Sequence, residues 1–145
     1  MSNMKIEIIY LSALLGAKPT DPSLIMGWYR KASRPAAQLS VKRIFNYLLD
    51  LASPATASIA AALDELLVDI PESDSDSGIL LIRYYLLRND LPSALKTYHS
   101  LGDNGVKSRK RHVQLLISYM LNAGMYDEAS NAFRDYIITR YTPGA

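Results

Sequence analysis

The sequence predicts an all-α protein, a right-handed α-solenoid of about four antiparallel helical hairpins. The first observation is a self-match at a spacing of 35 residues, which aligns Asn89 with Gly124, Ala94 with Ala129 and Tyr98 with Phe133. A fixed period in this range is typical of stacked helical-repeat arrays, which bind extended partners. The second is that apolar residues recur at helical spacing, while no useful stretch alternates with period two.

Prolines mark three of the predicted helix starts. Asp21-Pro22 and Ser53-Pro54 place a capping side chain just before a proline, and Asp90-Leu91-Pro92 does so with one residue between. The predicted helix pairs are 5–17 with 21–33, 40–52 with 54–68, 77–88 with 91–102, and 111–122 with 126–140. Short links between helices make neighbours antiparallel. We expect a single helical-repeat domain over 1–145, with approximate repeats 6–40, 41–75, 76–110 and 111–145.

Two links carry charge. The link over 69–77 is acidic and serine-rich, and we interpret it as a solvated linker that ends in a helix N-terminus. It lacks the glycine and the closing glutamate of an EF-hand calcium loop. The link over 102–112 contains four basic residues in five positions, which lead into the last predicted hairpin: Lys107, Arg109, Lys110 and Arg111.

Composition excludes several classes of protein. The chain is 49% hydrophobic and 21% charged, which is a globular and not a disordered profile. A net charge of +2 does not make it a polycation, and the absence of cysteine excludes disulfides, cysteine-based zinc sites and thiol nucleophiles. No apolar run reaches the roughly 18 residues needed to span a bilayer. The apolar residues of 6–15 fit a buried repeat helix better than a signal peptide.

No catalytic constellation is visible. His99 and His112 lie apart, with no carboxylate motif near either, and the pairs Asp64-Glu65 and Asp127-Glu128 point their two groups in different directions on a helix. There is no glycine-rich loop that would cradle a phosphate. The sequence therefore predicts a protein without catalytic residues, cofactor, metal or small-molecule substrate.

The last two predicted hairpins resemble pentatricopeptide repeats, a family of 35-residue helical hairpins. In the fourth, LLISYMLNAGMYDEASNAFRDYIITRYTP, the family spacing is met by Gly124, Ala129, Phe133 and Pro143. In the third, LLIRYYLLRNDLPSALKTYHSLGDNGVKS, it is met by Ala94, Tyr98, Leu101, Gly105 and Val106, with Asn89 in place of glycine and Ser108 in place of proline. The resemblance covers about 75–145 and is weak before it. The tetratricopeptide repeat, with 34 residues, is the second choice.

The resemblance implies binding of single-stranded RNA in mitochondria, at about one base per repeat. In the family, two side chains per repeat choose the base. The matching positions here hold Tyr10 with Ser40, Phe45 with Ser75, Leu80 with Lys110, and Leu115 with Ala145. None of these is a recognised pair, so the resemblance implies little base specificity.

The basic run is the best candidate for contact with RNA. The family holds RNA on its concave surface, where we expect Lys107, Arg109, Lys110, Arg111 and His112 to contact phosphates. Tyr10 and Phe45 are candidate stacking platforms, with core packing as the alternative. For the basic run, the alternatives are contact with a protein, solvation, or pairing with the acidic link. The predicted function is an RNA-associating module of organellar RNA metabolism or translation. The alternative is a protein-interaction scaffold, such as a repeat subunit of a mitochondrial ribosome.

Overall fold

The computed structural model describes residues 3–52, 56–71, 75–100 and 106–141, and it gives 75, 106–109 and 137–141 by their backbone alone. The regular elements of these ranges are eight helices: α1 Asn3–Gly16, α2 Ser23–Lys31, α3 Arg34–Leu51, α4 Ala57–Leu67, α5 Ser75–Leu87, α6 Leu91–Ser100, α7 Val106–Asn122 and α8 Tyr126–Tyr141. Across the same ranges there is no strand. The all-α prediction is confirmed.

The chain divides into two compact units, Met1–Pro71 (unit 1) and Glu72–Ala145 (unit 2). Unit 1 holds α1 to α4, and unit 2 holds α5 to α8. The single repeat domain expected over 1–145 stays a prediction. Among the described helices, none is both long enough and apolar enough to cross a bilayer.

Two helices begin five or six residues earlier than predicted. α3 begins at Arg34 and not near 40, because Pro35 occupies its first turn, where a proline costs no hydrogen bond. α7 begins at Val106 and not at 111. The segment 106–110 contains neither glycine nor proline, so nothing in it stops the helix from extending towards the N-terminus. The basic run therefore lies within the first turns of α7 and not in a link.

Of the predicted capping residues, Asp90 caps α6. The N-cap of α2 is Pro22, which makes no side-chain cap bond, and Asp21 binds from one residue further out. The Ser23 N–H donates to Asp21 Oδ1 at 2.9 Å, and the Ser93 N–H donates to Asp90 Oδ1 at 3.2 Å. Ser53-Pro54 lies outside the described residues. The hydroxyl cap of α4 is Thr56, whose Oγ1 accepts from the Ile59 N–H at 3.3 Å.

Unit 1 packs α1 against α2 and α3, and α3 against α4. Trp28 is buried, and its indole N–H donates to the Glu7 carbonyl at 2.9 Å. Two ion pairs then join positions that are 35 residues apart: Arg30 with Glu65 and Arg34 with Asp69, each at 2.6 Å. The sequence period is therefore also a spacing between contacting residues in this unit.

Unit 2 contains the same turn twice, once after α5 and once after α7. Asn89 and Gly124 both have a positive φ, of 57° and 76°. In each turn the next residue donates its N–H five positions back, Asp90 to the Tyr85 carbonyl at 2.8 Å and Met125 to the Met120 carbonyl at 2.7 Å. This is the hydrogen bond that closes a helix through a left-handed residue. Asn89 thus replaces glycine in conformation as well as in sequence.

The core of unit 2 lies between its four helices. It is centred on Ile82, Ala94, Leu116, Met120 and Ala129. Ala94 and Ala129, which are 35 residues apart in the self-match, are both buried there. A larger side chain at either position would separate the helices that cross at it.

Candidate nucleic-acid interface

The basic run lies at the N-terminal end of α7. Lys110 and Arg111 are exposed, and within the described residues neither of them forms an ion pair. The side chains of Lys107 and Arg109 lie outside the described residues. The first turn of α7 contains no acidic residue. Because the N-terminal end of a helix carries a partial positive charge, a cation in the first turn is unfavourable by about 0.3–1 kcal/mol. By sequence position this applies to Lys107 and Arg109, while Lys110 and Arg111 follow in the second turn. A bound anion would relieve this repulsion.

Two arginines of unit 1, Arg30 and Arg34, are paired with carboxylates by contrast. The Arg34 guanidinium, followed by the Tyr29 hydroxyl, lowers the pKa of the Asp69 carboxyl below its ordinary value. The Arg30 guanidinium does the same to the pKa of Glu65. Burial, together with the hydrogen bond to Asp69, raises the pKa of Tyr29 to about 12. The Arg30 and Arg34 guanidinium groups are thus each paired with a carboxylate, although their side chains remain exposed.

His112 is wrong as an RNA contact. The side chain is fully buried, because it lies on the same side of α7 as Leu116 and Met120, which belong to the core of unit 2. Residues four apart on a helix share one face. The histidine at the end of the basic run therefore packs inward while Lys110 and Arg111 reach solvent.

Phe45 is also wrong as a stacking platform. It is 0% exposed in the core of unit 1, so no base can reach its ring. Tyr10 is 61% exposed on α1 and has a free ring surface for stacking. Tyr10 belongs to unit 1, and the basic run belongs to unit 2.

The positions that would select a base are mostly enclosed. Ser40 and Leu80 are buried, as is Phe45, and Leu115 is half-buried. The Ser75 side chain and Ala145 lie outside the described residues. Of the described positions, Tyr10 and Lys110 reach solvent. Among these, a lysine supplies a charge but no pattern of donors and acceptors that distinguishes one base from another.

The tyrosines of unit 2 serve mainly in packing. Tyr84 is buried and meets Tyr85 edge to face, with ring centroids 5.4 Å apart. The Tyr119 hydroxyl donates to Asn89 Oδ1 at 3.2 Å and so ties α7 to the turn before α6. Tyr126 is the exception, since it is largely exposed at the start of α8.

The sequence analysis missed a set of exposed apolar side chains on α1 and α8: Ile6, Ile9, Tyr126 and Phe133. Apolar residues on both sides of α1 were the sequence signal for an exposed apolar face, but a helix that is buried on all sides has the same pattern. In the part of the chain that the structure describes, no group of three or more histidines and carboxylates is placed to hold a metal ion.

The chain matches no protein-family model, no curated protein and no solved structure. The resemblance to pentatricopeptide repeats therefore rests on the residues of this chain.

Proposed function

We propose that the helix pairs of this chain are about four repeats of a right-handed, pentatricopeptide-like α-solenoid. The 35-residue equivalences within each unit support this proposal. In unit 1 they are the Arg30–Glu65 and Arg34–Asp69 ion pairs, and in unit 2 they are the paired turns at Asn89 and Gly124.

The proposed function is non-catalytic association with single-stranded RNA in organellar RNA metabolism or translation. The observation that carries it is the exposed pair Lys110 and Arg111 in the second turn of α7, neither of which forms an ion pair within the described residues. Phosphates are ligands that exposed lysine and arginine side chains favour, because they carry the opposite charge and accept hydrogen bonds. Each cation placed on a phosphate also releases counterions from the RNA, which drives binding at low salt.

The same geometry supports weak selection among bases. Phe45 and Leu80 are buried at positions that read bases in the family. Phosphate contacts fix the position of a nucleic acid but carry no sequence information. RNAs of equal length and different sequence are therefore expected to bind with similar affinity.

The test is fluorescence anisotropy with labelled single-stranded RNA of mixed sequence, alongside oligo-U and oligo-A of the same length. The variant Arg109→Ala/Lys110→Ala/Arg111→Ala removes three charges from α7. The matched control, Lys31→Ala/Lys96→Ala/Arg134→Ala, removes three exposed charges elsewhere.

The proposal expects wild type and the control to bind and the α7 variant to lose at least about tenfold in affinity, which is about 1.4 kcal/mol. Equal losses of affinity in both triple variants would mean that RNA binding depends on the net charge of the protein and not on the basic run of α7. No binding at low salt, in protein shown to be folded by circular dichroism, contradicts the proposal.

A protein-interaction scaffold is the second candidate, and the exposed apolar residues of α1 and α8 favour it. Three neighbouring apolar side chains on α1, Ile6, Ile9 and Tyr10, are each more than half exposed. A contiguous apolar surface of this kind is typical of protein interaction sites.

A further inference from the structure

One face of α1 is apolar and open to solvent. Ile6, Ile9 and Tyr10 are 53–61% exposed, and Ala13 continues the same face one turn later. The other side of the helix contributes Leu11 and Leu15 to the core of unit 1. A helix that is apolar on both sides is typically covered on both sides.

The equivalent face of α3, 35 residues later in unit 1, is covered. The α3 residues that lie 35 positions after Ile6, Ile9, Tyr10 and Ala13 are Val41, Ile44, Phe45 and Leu48. All four are at most 1% exposed, because α3 packs against its neighbours α1, α2 and α4. The cover therefore includes the preceding helical pair, α1 and α2. By equivalence, the face of α1 suits the surface of another helical pair of this kind.

The exposed apolar side of α8 corresponds to a side of α6 that is partly covered in unit 2. Tyr126 and Phe133, which lie on one side of α8, are 67% and 55% exposed. The residues 35 positions earlier are Leu91 and Tyr98 of α6, and both are half-buried against the core of unit 2. α6 packs on α5 and on the following helix α7, whereas α8 packs on α7. Tyr126 and Phe133 thus stand where a following helix would cover them.

We propose that the chain self-associates head to tail, with the Tyr126–Phe133 side of α8 in one copy docking on the Ile6–Ile9–Tyr10 face of α1 in a second copy. These apolar side chains carry no charge, so docking would not bury an unpaired ion. Because the two surfaces differ, the contact is heterologous and extends to further copies until it closes into a ring. Contact through single helix faces is smaller than a standard interface of roughly 800 Å² per partner, so we expect micromolar affinity.

This inference names a partner for the scaffold candidate and is independent of RNA binding. The triple variant of α7 described above keeps both apolar surfaces and is expected to self-associate like wild type. Loss of RNA binding and loss of self-association are therefore separable results.

Sedimentation velocity from about 5 to 500 μM tests the proposal with two variants and their mixture. Ile9→Glu places a charge on the α1 face, and Phe133→Glu places one on the α8 side. Tyr10→Glu is a second α1 variant. Leu39→Glu and Asn131→Glu are matched controls, because they place the same charge at exposed positions of α3 and α8 outside the two surfaces.

The expected result is a mass that rises with concentration in wild type and both controls, and at least about tenfold weaker association in each single variant. An equimolar mixture of Ile9→Glu and Phe133→Glu retains one intact α1 face and one intact α8 side, so it should form dimers and stop there. A monomeric wild type at every concentration overturns the proposal. So does a Phe133→Glu variant that associates fully while Ile9→Glu does not, because that result indicates docking of α1 on α1.

Discussion

Substitution of Gly124 by alanine tests the left-handed turn that supports the 35-residue period. Gly124 has a φ of 76°, and a Cβ built on it meets nothing within 4 Å. The cost of Gly124→Ala is therefore conformational and not steric. A left-handed conformation costs an L-residue about 1–2 kcal/mol. Alanine also reduces the conformational freedom of the unfolded chain, which stabilises the folded state by about 0.4–1 kcal/mol. We expect a net loss of about 0.5–1.5 kcal/mol in the free energy of unfolding.

Gly27→Ala is the matched control. Gly27 lies inside α2, and a Cβ there also meets nothing within 4 Å. Because its conformation is helical, alanine should stabilise the protein by about 0.5–1 kcal/mol. Asn89→Ala should destabilise like Gly124→Ala, with a further loss because the Tyr119 hydroxyl loses its acceptor.

Urea unfolding followed by circular dichroism at 222 nm measures all three variants. The reasoning requires opposite signs for Gly124→Ala and Gly27→Ala. If Gly124→Ala raises the free energy of unfolding as much as Gly27→Ala does, the left-handed turn after α7 is wrong. The equivalence of Asn89 and Gly124 would then lose its structural basis.

Three further predictions concern burial and charge. Phe45→Ala should lower the free energy of unfolding by about 3–5 kcal/mol in urea titrations, because Phe45 is fully buried; a loss below about 1 kcal/mol would place Phe45 at the surface. Arg34 lowers the pKa of Asp69 in the folded state, so the Asp69 carboxylate stabilises the fold above about pH 4. The difference in the free energy of unfolding between wild type and Asp69→Asn should therefore shrink as the pH falls from 6 to 3. A difference independent of pH would contradict the Arg34–Asp69 pairing. Ser77→Ala should raise the melting temperature, because the buried Ser77 hydroxyl has no hydrogen-bond partner among the described residues; a fall would reveal a bond that this hydroxyl makes.

Most of the helical architecture could be predicted from the sequence, because its signals are local. Helix starts are encoded by short-range hydrogen bonds, as Asp90 shows by capping α6 through the Ser93 N–H and Asp21 shows by its bond to the Ser23 N–H just before α2. The two early starts have local causes as well. Pro35 was a missed starting signal, and 106–110 contains no residue that would stop a helix.

The candidate site could be predicted only in part, because composition does not say which side chains of a helix face the core and which face solvent. His112 and Lys110 are two residues apart in one basic run, yet one is buried and the other exposed. The orientation is decided by Leu116 and Met120 further along α7, which direct that side of the helix into the core. Phe45 and Tyr10 show the same limit. They occupy equivalent positions of the repeat, and α3 is covered where α1 is not.

The most direct test of the central claim is the salt dependence of RNA binding. For a single strand, the logarithm of the binding constant falls with the logarithm of the salt concentration by about 0.7 per phosphate contact. If the basic start of α7 makes these contacts, Arg109→Ala/Lys110→Ala/Arg111→Ala should reduce the slope by about 2, and Lys31→Ala/Lys96→Ala/Arg134→Ala should leave it unchanged. An unchanged slope in the α7 variant would contradict the claim that this basic surface holds RNA.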